Sequence, residues 1–153
     1  MVVHVKAGDI FVADVDILVN ATNPGIAGKA IMGRGIALLF KQRYPKMFQQ
    51  YQVDCAAYKC ELGNFNIYRD IDDVWHRDIM CFHSMTLERG YARLEDIEKG
   101  LKNVVKYLEN SSESIAFCAI GCGVGGLKFA DVKALIIKYL EPLPNYVELY
   151  EPK

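Results

Sequence analysis

Ala119-Ile120-Gly121-Cys122-Gly123-Val124-Gly125-Gly126-Leu127 is the stretch whose reading decides the fold. It follows an apolar run, residues 115–119, that reads as a buried strand, and it precedes residues 128–140, where apolar side chains recur at helical spacing. A glycine-rich turn between strand and helix gathers bare backbone N–H groups at a helix N-terminus, a geometry that binds anions and above all phosphate. Glycines after a strand also serve as a tight turn. No Lys-Ser/Thr pair follows, which excludes a nucleotide-triphosphatase P-loop, and the spacing departs from the Gly-x-Gly-x-x-Gly dinucleotide signature.

A second stretch of the same kind lies upstream. Residues 16–20, Asp-Ile-Leu-Val-Asn, form a continuous apolar run of the sort found in buried parallel strands. Asn20 and Asn23 close it, Pro24, Gly25 and Gly28 make a loop, and Met32-Gly33-Arg34-Gly35 is a second glycine-rich turn. Ile36, Leu39, Phe40 and Tyr44 then follow at helical spacing. Two strand, glycine-loop and helix units in one short chain are less readily accidental than one.

The remaining chain alternates in the same way. Val2, Val3 and Val5 suggest a first strand, and Gly8-Asp9-Ile10 turns the chain. Pro45 ends one helix and starts another that runs to about Tyr58. Residues 64–69 and 74–82 read as strands, with Trp75 in the core, and residues 83–90 as a polar loop. Leu94, Ile97, Leu101, Val104, Val105 and Leu108 mark an amphipathic helix whose first turn carries Glu95 and Asp96. Pro142 and Pro144 end the last helix, and residues 146–150 make a final strand. This order predicts a layered α/β domain with a mostly parallel sheet between helices, and ligands in such folds bind at the carboxyl ends of strands. Both glycine loops, Asn20 and Asn23 fall at such ends.

Composition sets the outer limits. With 153 residues, 52% hydrophobic and 24% charged, one domain with a sizeable core spanning 1–153 is expected. The net charge of −1 gives no global field toward nucleic acid or an anionic membrane. No apolar run is long enough to span a bilayer, and the N-terminus does not read as a signal peptide, so a cytoplasmic location is expected. Five scattered cysteines (55, 60, 81, 118 and 122) read as free thiols, and no metal or cofactor is expected.

Taken together, Gly8-Asp9-Ile10, Val19-Asn20-Ala21-Thr22-Asn23, Met32-Gly33-Arg34-Gly35-Ile36-Ala37 with Phe40-Lys41, Arg93-Leu94-Glu95-Asp96-Ile97 with Gly100-Leu101, and the opening loop resemble a macro domain, the ADP-ribose-binding fold. The resemblance covers nearly the whole chain. It is strongest to the branch of DNA ADP-ribosyl glycohydrolase antitoxins and the terminal ADP-ribose protein glycohydrolase. It implies a three-layer α/β/α fold with a mixed, mostly parallel sheet. It also implies roles: Asp9 accepts from the adenine amine, the Ile10 N–H serves the neighbouring ring nitrogen, and Asn23 bonds the distal ribose. Asn20 supports the loop from the strand end. The diphosphate is expected against Met32, Gly33, Arg34, Gly35 and Ile36 on one side, and against Gly121, Cys122, Gly123, Val124, Gly125, Gly126 and Leu127 on the other. Tyr91 is a candidate to stack on adenine or to cover the distal ribose. Lys41, Arg43 and Lys46 read as a solvated helix face, or as contacts to nucleic acid if the conjugate is one. The implied partner is ADP-ribose or an ADP-ribosylated macromolecule.

The branch pattern is broken at two catalytic positions. Met85 stands where the branch has a lysine, and Gly125 where the protein-directed relative has an aspartate. A thioether is neither a Schiff-base former nor a general base. The loop between Asn23 and Met32 is also longer than in this branch, implying a different distal-ribose pocket. The expected activity is therefore binding of ADP-ribose with hydrolysis of a distal-ribose derivative, as a phosphatase of ADP-ribose 1''-phosphate or an ADP-ribosyl hydrolase. Its water is activated by the ligand's own phosphate or by His83, which titrates near neutrality. The alternatives are a non-catalytic ADP-ribose-binding module and an unrelated nucleotide-binding α/β protein. Read alone, His83 is more readily a surface or satisfied histidine.

Overall fold

The structure is a computed structural model that describes residues 3–26, 29–86 and 89–152; Val2 of the expected first strand and Gly28 of the expected loop lie outside these residues. In chain order its elements are β1 (Val3–Lys6), a 3-10 turn (Ile10–Val12), β2 (Ile17–Ile26), β3 (Lys29–Ile31), α1 (Gly35–Arg43), α2 (Pro45–Ala56), β4 (Phe65–Tyr68), β5 (Asp78–His83), α3 (Leu94–Glu109), β6 (Ile115–Phe117), α4 (Phe129–Leu140) and β7 (Val147–Tyr150). The sheet order is β1-β7-β6-β2-β5-β4, with β3 paired to β2. Pairings are parallel from β1 across to β5, while β4 joins β5 and β3 joins β2 antiparallel. This is the mostly parallel sheet that the alternating pattern predicts, mixed as the macro-domain resemblance implies.

The central strands are apolar without alternation because both of their faces are covered. Residues 17–19 of β2 and 79–82 of β5 are all fully buried. Successive residues of β5 show the two layers directly. Cys81 Sγ approaches Met47 Sδ of α2 at 3.7 Å. Phe82 turns the other way, under Gly100 of α3. Helices α1 and α2 therefore cover one face, and α3, packed against α4, covers the other. Gly100 sits in mid-helix, where glycine is normally costly. A Cβ there would stand 2.2 Å from Cζ of Phe82, so the missing side chain is what lets α3 settle on the sheet.

Two expectations are corrected. Residues 74–77 are not strand: β5 begins at Asp78, and Trp75, expected in the core, is 57% exposed. The cause is a buried ion pair. Asp73 accepts from Arg77 Nε at 2.9 Å and from the Trp75 backbone N–H at 2.8 Å, and Arg77 Nη1 donates to the carbonyls of Phe11 and Ala13. A turn wrapped round that pair leaves Val74 and Trp75 outside. The second correction is the segment after Asn23, expected as loop: β2 continues to Ile26 and pairs with β3, with Asn23 opposite Ile31.

Gly100→Ala is expected to destabilise the protein by about 1–3 kcal/mol through overpacking against Phe82, despite alanine's better helix propensity. Urea denaturation measures this, and adding Phe82→Leu should recover part of the loss.

Candidate ligand-binding site

A cleft of about 490 Å³ opens at the carboxyl ends of β2, β5 and β6. One wall is the N-terminus of α1 with the turn before it. The other is the glycine loop between β6 and α4. The floor comes from the end of β2 and from Ser84 and Met85 just past β5. Strand ends in a parallel sheet leave such a crevice because the chain must cross over to a helix on one side or the other.

The α1 wall offers unpaired donors by construction. The first N–H groups of any helix have no acceptor within it. Here Gly35, Ile36 and Ala37 occupy that first turn and line the cleft, and the cap residue Arg34 makes no capping bond with its side chain. The helix dipole adds partial positive charge at the same end.

The facing loop reaches the same result differently. Its carbonyls are committed inward: Ala119 O accepts from the Cys122 N–H, Gly121 O from Leu127, Gly123 O from Gly126 and Gly125 O from Ala92, all within 2.9–3.1 Å. The N–H groups of Gly123, Val124 and Gly125 have no acceptor among the described residues, and all three residues line the cleft. Gly125 is required here. A Cβ would lie 2.6 Å from Gly121 O and 2.8 Å from Ala92 Cβ, so this loop has no room for the aspartate of the protein-directed relative. Gly123 faces open space.

The structure brings Asn23, Met32, Gly33, Arg34, Gly35, Ile36, Gly121, Gly123, Val124 and Gly125 together in the cleft, ten of the expected ligand residues. The others lie outside it. Cys122, Gly126 and Leu127 donate their N–H groups within the loop, so these are not available to a ligand there. Asn20 is buried beneath the cleft, with its amide nitrogen 3.8 Å from Met32 Sδ and its Oδ1 unpartnered. Asp9 accepts from the Phe11 N–H at 2.9 Å, capping the 3-10 turn, and it lines a separate hollow with Lys6, Glu148 and Tyr150. Ile10 is buried outside both hollows. Sequence reasoning missed Ala21, Thr22, Ile31, Ala37, Ser84, Gly90 and Ala119 as lining residues. The signal for several of them was present, since each adjoins an expected site residue or strand end.

His83, the expected side-chain base, is placed in the core and does not line the cleft. Its Nε2 donates to Asn66 Oδ1 at 2.7 Å, and its Nδ1 faces Thr22 Oγ1 at 2.9 Å. The ring stacks on Tyr51, whose hydroxyl donates to the Asn23 carbonyl. Burial pushes the imidazole down from 6.5 to about 4. With both nitrogens engaged and its ring buried beneath Thr22, it serves as a brace under the end of β2. Met85 lies in the floor, nearly buried and bridged to Ala92. Leu87 and Glu88 of the same expected loop lie outside the described residues.

The arrangement defines an α/β/α domain with backbone N–H groups left without protein acceptors on two facing walls of one cleft. The chain belongs to the macro domain family, whose model matches residues 19–136. It is 34% identical over 147 residues to a DNA ADP-ribosyl glycohydrolase of Thermus aquaticus, covering 95% of this chain and 40% of that protein. It is 31% identical over 140 residues to the DNA ADP-ribosyl glycohydrolase of Mycobacterium tuberculosis, covering 91% of this chain and 39% of that protein. The chain thus spans about two fifths of the length of these curated relatives. Among solved structures it resembles the macrodomain of Mycobacterium tuberculosis DarG, with a TM-score of 0.87 and 29% identity, covering 99% of this chain and 97% of that one. It also resembles Thermosipho africanus DarTG in complex with ADP-ribose, with a TM-score of 0.85 and 25% identity over 97% of this chain and 42% of that one.

The depressed His83 value has a sign that can be measured. The unfolded chain takes up the proton first, so the stability that neutral His83 contributes is complete above pH 6.5 and is lost as pH falls toward 4. The loss is on the order of 3 kcal/mol. In denaturation at several pH values, His83→Gln should flatten the curve across that window.

Proposed function

We propose that the cleft holds ADP-ribose, with its diphosphate between the two sets of free N–H groups, and that the protein hydrolyses an ADP-ribosyl conjugate. The observation that carries this reading is the pair of facing donor walls, Gly35 to Ala37 and Gly123 to Gly125. Preorganised amides bind a diphosphate without a lysine, which accords with a net charge of −1. The Thermosipho relative is described in complex with ADP-ribose, and the Thermus and Mycobacterium relatives are described as DNA ADP-ribosyl glycohydrolases. These descriptions favour an ADP-ribosyl glycohydrolase over a phosphatase.

The chemistry follows from what the cleft contains. Asn23, which lines the groove, carries an amide, a group able both to donate to and to accept from ribose hydroxyls. Water adds to the anomeric carbon of the distal ribose, the bond to the macromolecule breaks, and the leaving atom takes a proton. No carboxylate or imidazole lines the cleft among the described residues, Met85 and Gly125 stand at the two catalytic positions and His83 is in the core, so the base we assign is the ligand's own phosphate. The protein's contribution is orientation and electrostatic stabilisation by fixed amides.

Two substitutions test this. Gly123→Glu places a carboxylate into open space in the groove, so it should abolish ADP-ribose binding in calorimetry while leaving thermal stability unchanged. Unchanged affinity would remove the diphosphate assignment. Met85→Lys adds a side-chain base in a nearly buried position, where an amine titrates lower. It should raise release of ADP-ribose from an ADP-ribosylated oligodeoxynucleotide by roughly 100-fold, the lower end of what a positioned base contributes. Binding with no release by either protein would reduce the domain to a binding module.

A further inference from the structure

We infer that the rim formed by Arg89, Tyr91 and Arg93 is a binding surface for single-stranded nucleic acid, the strand that carries the ADP-ribosyl group. The inference rests on the ADP-ribose reading of the cleft. Tyr91 is 48% exposed, although it stands between Gly90, which lines the cleft, and Ala92, which is buried. Its backbone is fixed there, because the Ala92 N–H donates to Gly125 O at 3.0 Å and Ala92 bridges Met85. The exposed ring therefore stands next in the chain to the cleft-lining Gly90, outside the cleft itself.

Two guanidinium groups accompany it. Arg89 lies 5.2 Å from the ring centroid, donates from Nε to the Tyr91 carbonyl at 3.1 Å, and is anchored by Asp96 at 2.9 Å. Arg93 lies 5.7 Å from the centroid, and its Nη2 donates to the Tyr91 hydroxyl at 3.3 Å. Asp96 is engaged by Arg89. Glu95 is the other carboxylate near Arg93, yet Arg93 forms no ion pair among the described residues. Arg34, exposed on the opposite wall, forms none either. An exposed aromatic ring with adjoining guanidinium groups is the equipment for stacking a splayed base and pairing its phosphate. A protein conjugate supplies no such alternation of flat rings and phosphates. Since the chain has no basic field, this surface acts on a strand already anchored through its ADP-ribose.

The test compares dissociation constants of the full chain for free ADP-ribose, for an ADP-ribosylated oligodeoxynucleotide of about 12 nucleotides and for an ADP-ribosylated peptide, measured in the cold ahead of turnover. The oligonucleotide conjugate should bind at least about fivefold tighter than free ADP-ribose, and should lose more affinity as salt rises. Tyr91→Ala and Arg93→Ala should erase that gain and leave free ADP-ribose within twofold, while Tyr91→Phe should keep it. Equal affinity for conjugate and free ligand overturns the inference. So does a Tyr91→Ala loss that is the same for both, which would put the ring in the ADP-ribose site. An equal gain on the peptide makes protein the partner instead. If free ADP-ribose does not bind, the reading of the cleft fails first and this surface fails with it.

Discussion

Backbone amides facing each other across a narrow cleft are the constraint to which the rest of the structure conforms. A peptide N–H donates only if nothing in the protein has claimed it, and buried amides are almost always claimed. The chain frees one set by starting α1 at the cleft and the other by turning the carbonyls of the β6–α4 loop inward. The second device is the more demanding. Gly121 has a positive φ of 74°, and Gly125 packs so closely on Gly121 O and Ala92 that no side chain fits. The loop is therefore tied to the segment after β5 through the Ala92–Gly125 bond. Floor, rim and glycine-loop wall form one connected unit.

That connection explains why the site is chemically sparse. Glycine is what the geometry needs at 125, and an acid there would push the loop apart. Thr22, His83, Asn66 and Asp54 form a polar chain behind the cleft: His83 links Thr22 to Asn66, whose amide reaches Asp54 at 3.4 Å. Its role is to hold the end of β2, and with it Asn23, at the right depth. What the cleft offers a ligand is mostly main chain. On the proposed reading such a site depends on positioning and fixed dipoles, with proton transfer left to the ligand and water.

Much of this was legible in the sequence because its signals are local. The glycine loops and the apolar runs at residues 17–19 and 115–117 announce themselves within a few residues, as do the spacing of Ile97, Leu101, Val104 and Leu108 and the break at Pro45. What escaped depends on partners far along the chain. Trp75 looked like core because it is large and apolar. Arg77 decides otherwise by reaching the carbonyls of Phe11 and Ala13, more than sixty positions upstream. The β2–β3 hairpin is hidden by Pro24 and the glycines around it. His83 sits at a strand end, which suggests the cleft, but the pleat turns its ring toward Tyr51. Which loop amides remain free cannot be told from glycine content, since Gly126 and Gly123 look alike until their hydrogen bonds are counted.

The most direct measurement is an amide nitrogen–proton correlation spectrum of the labelled protein during titration with ADP-ribose. The account predicts that the Gly35, Ile36, Gly123 and Val124 resonances move the most and shift downfield, as amides do when they acquire a charged acceptor. Large shifts confined to other residues, or a spectrum unchanged at saturating ligand, would contradict it.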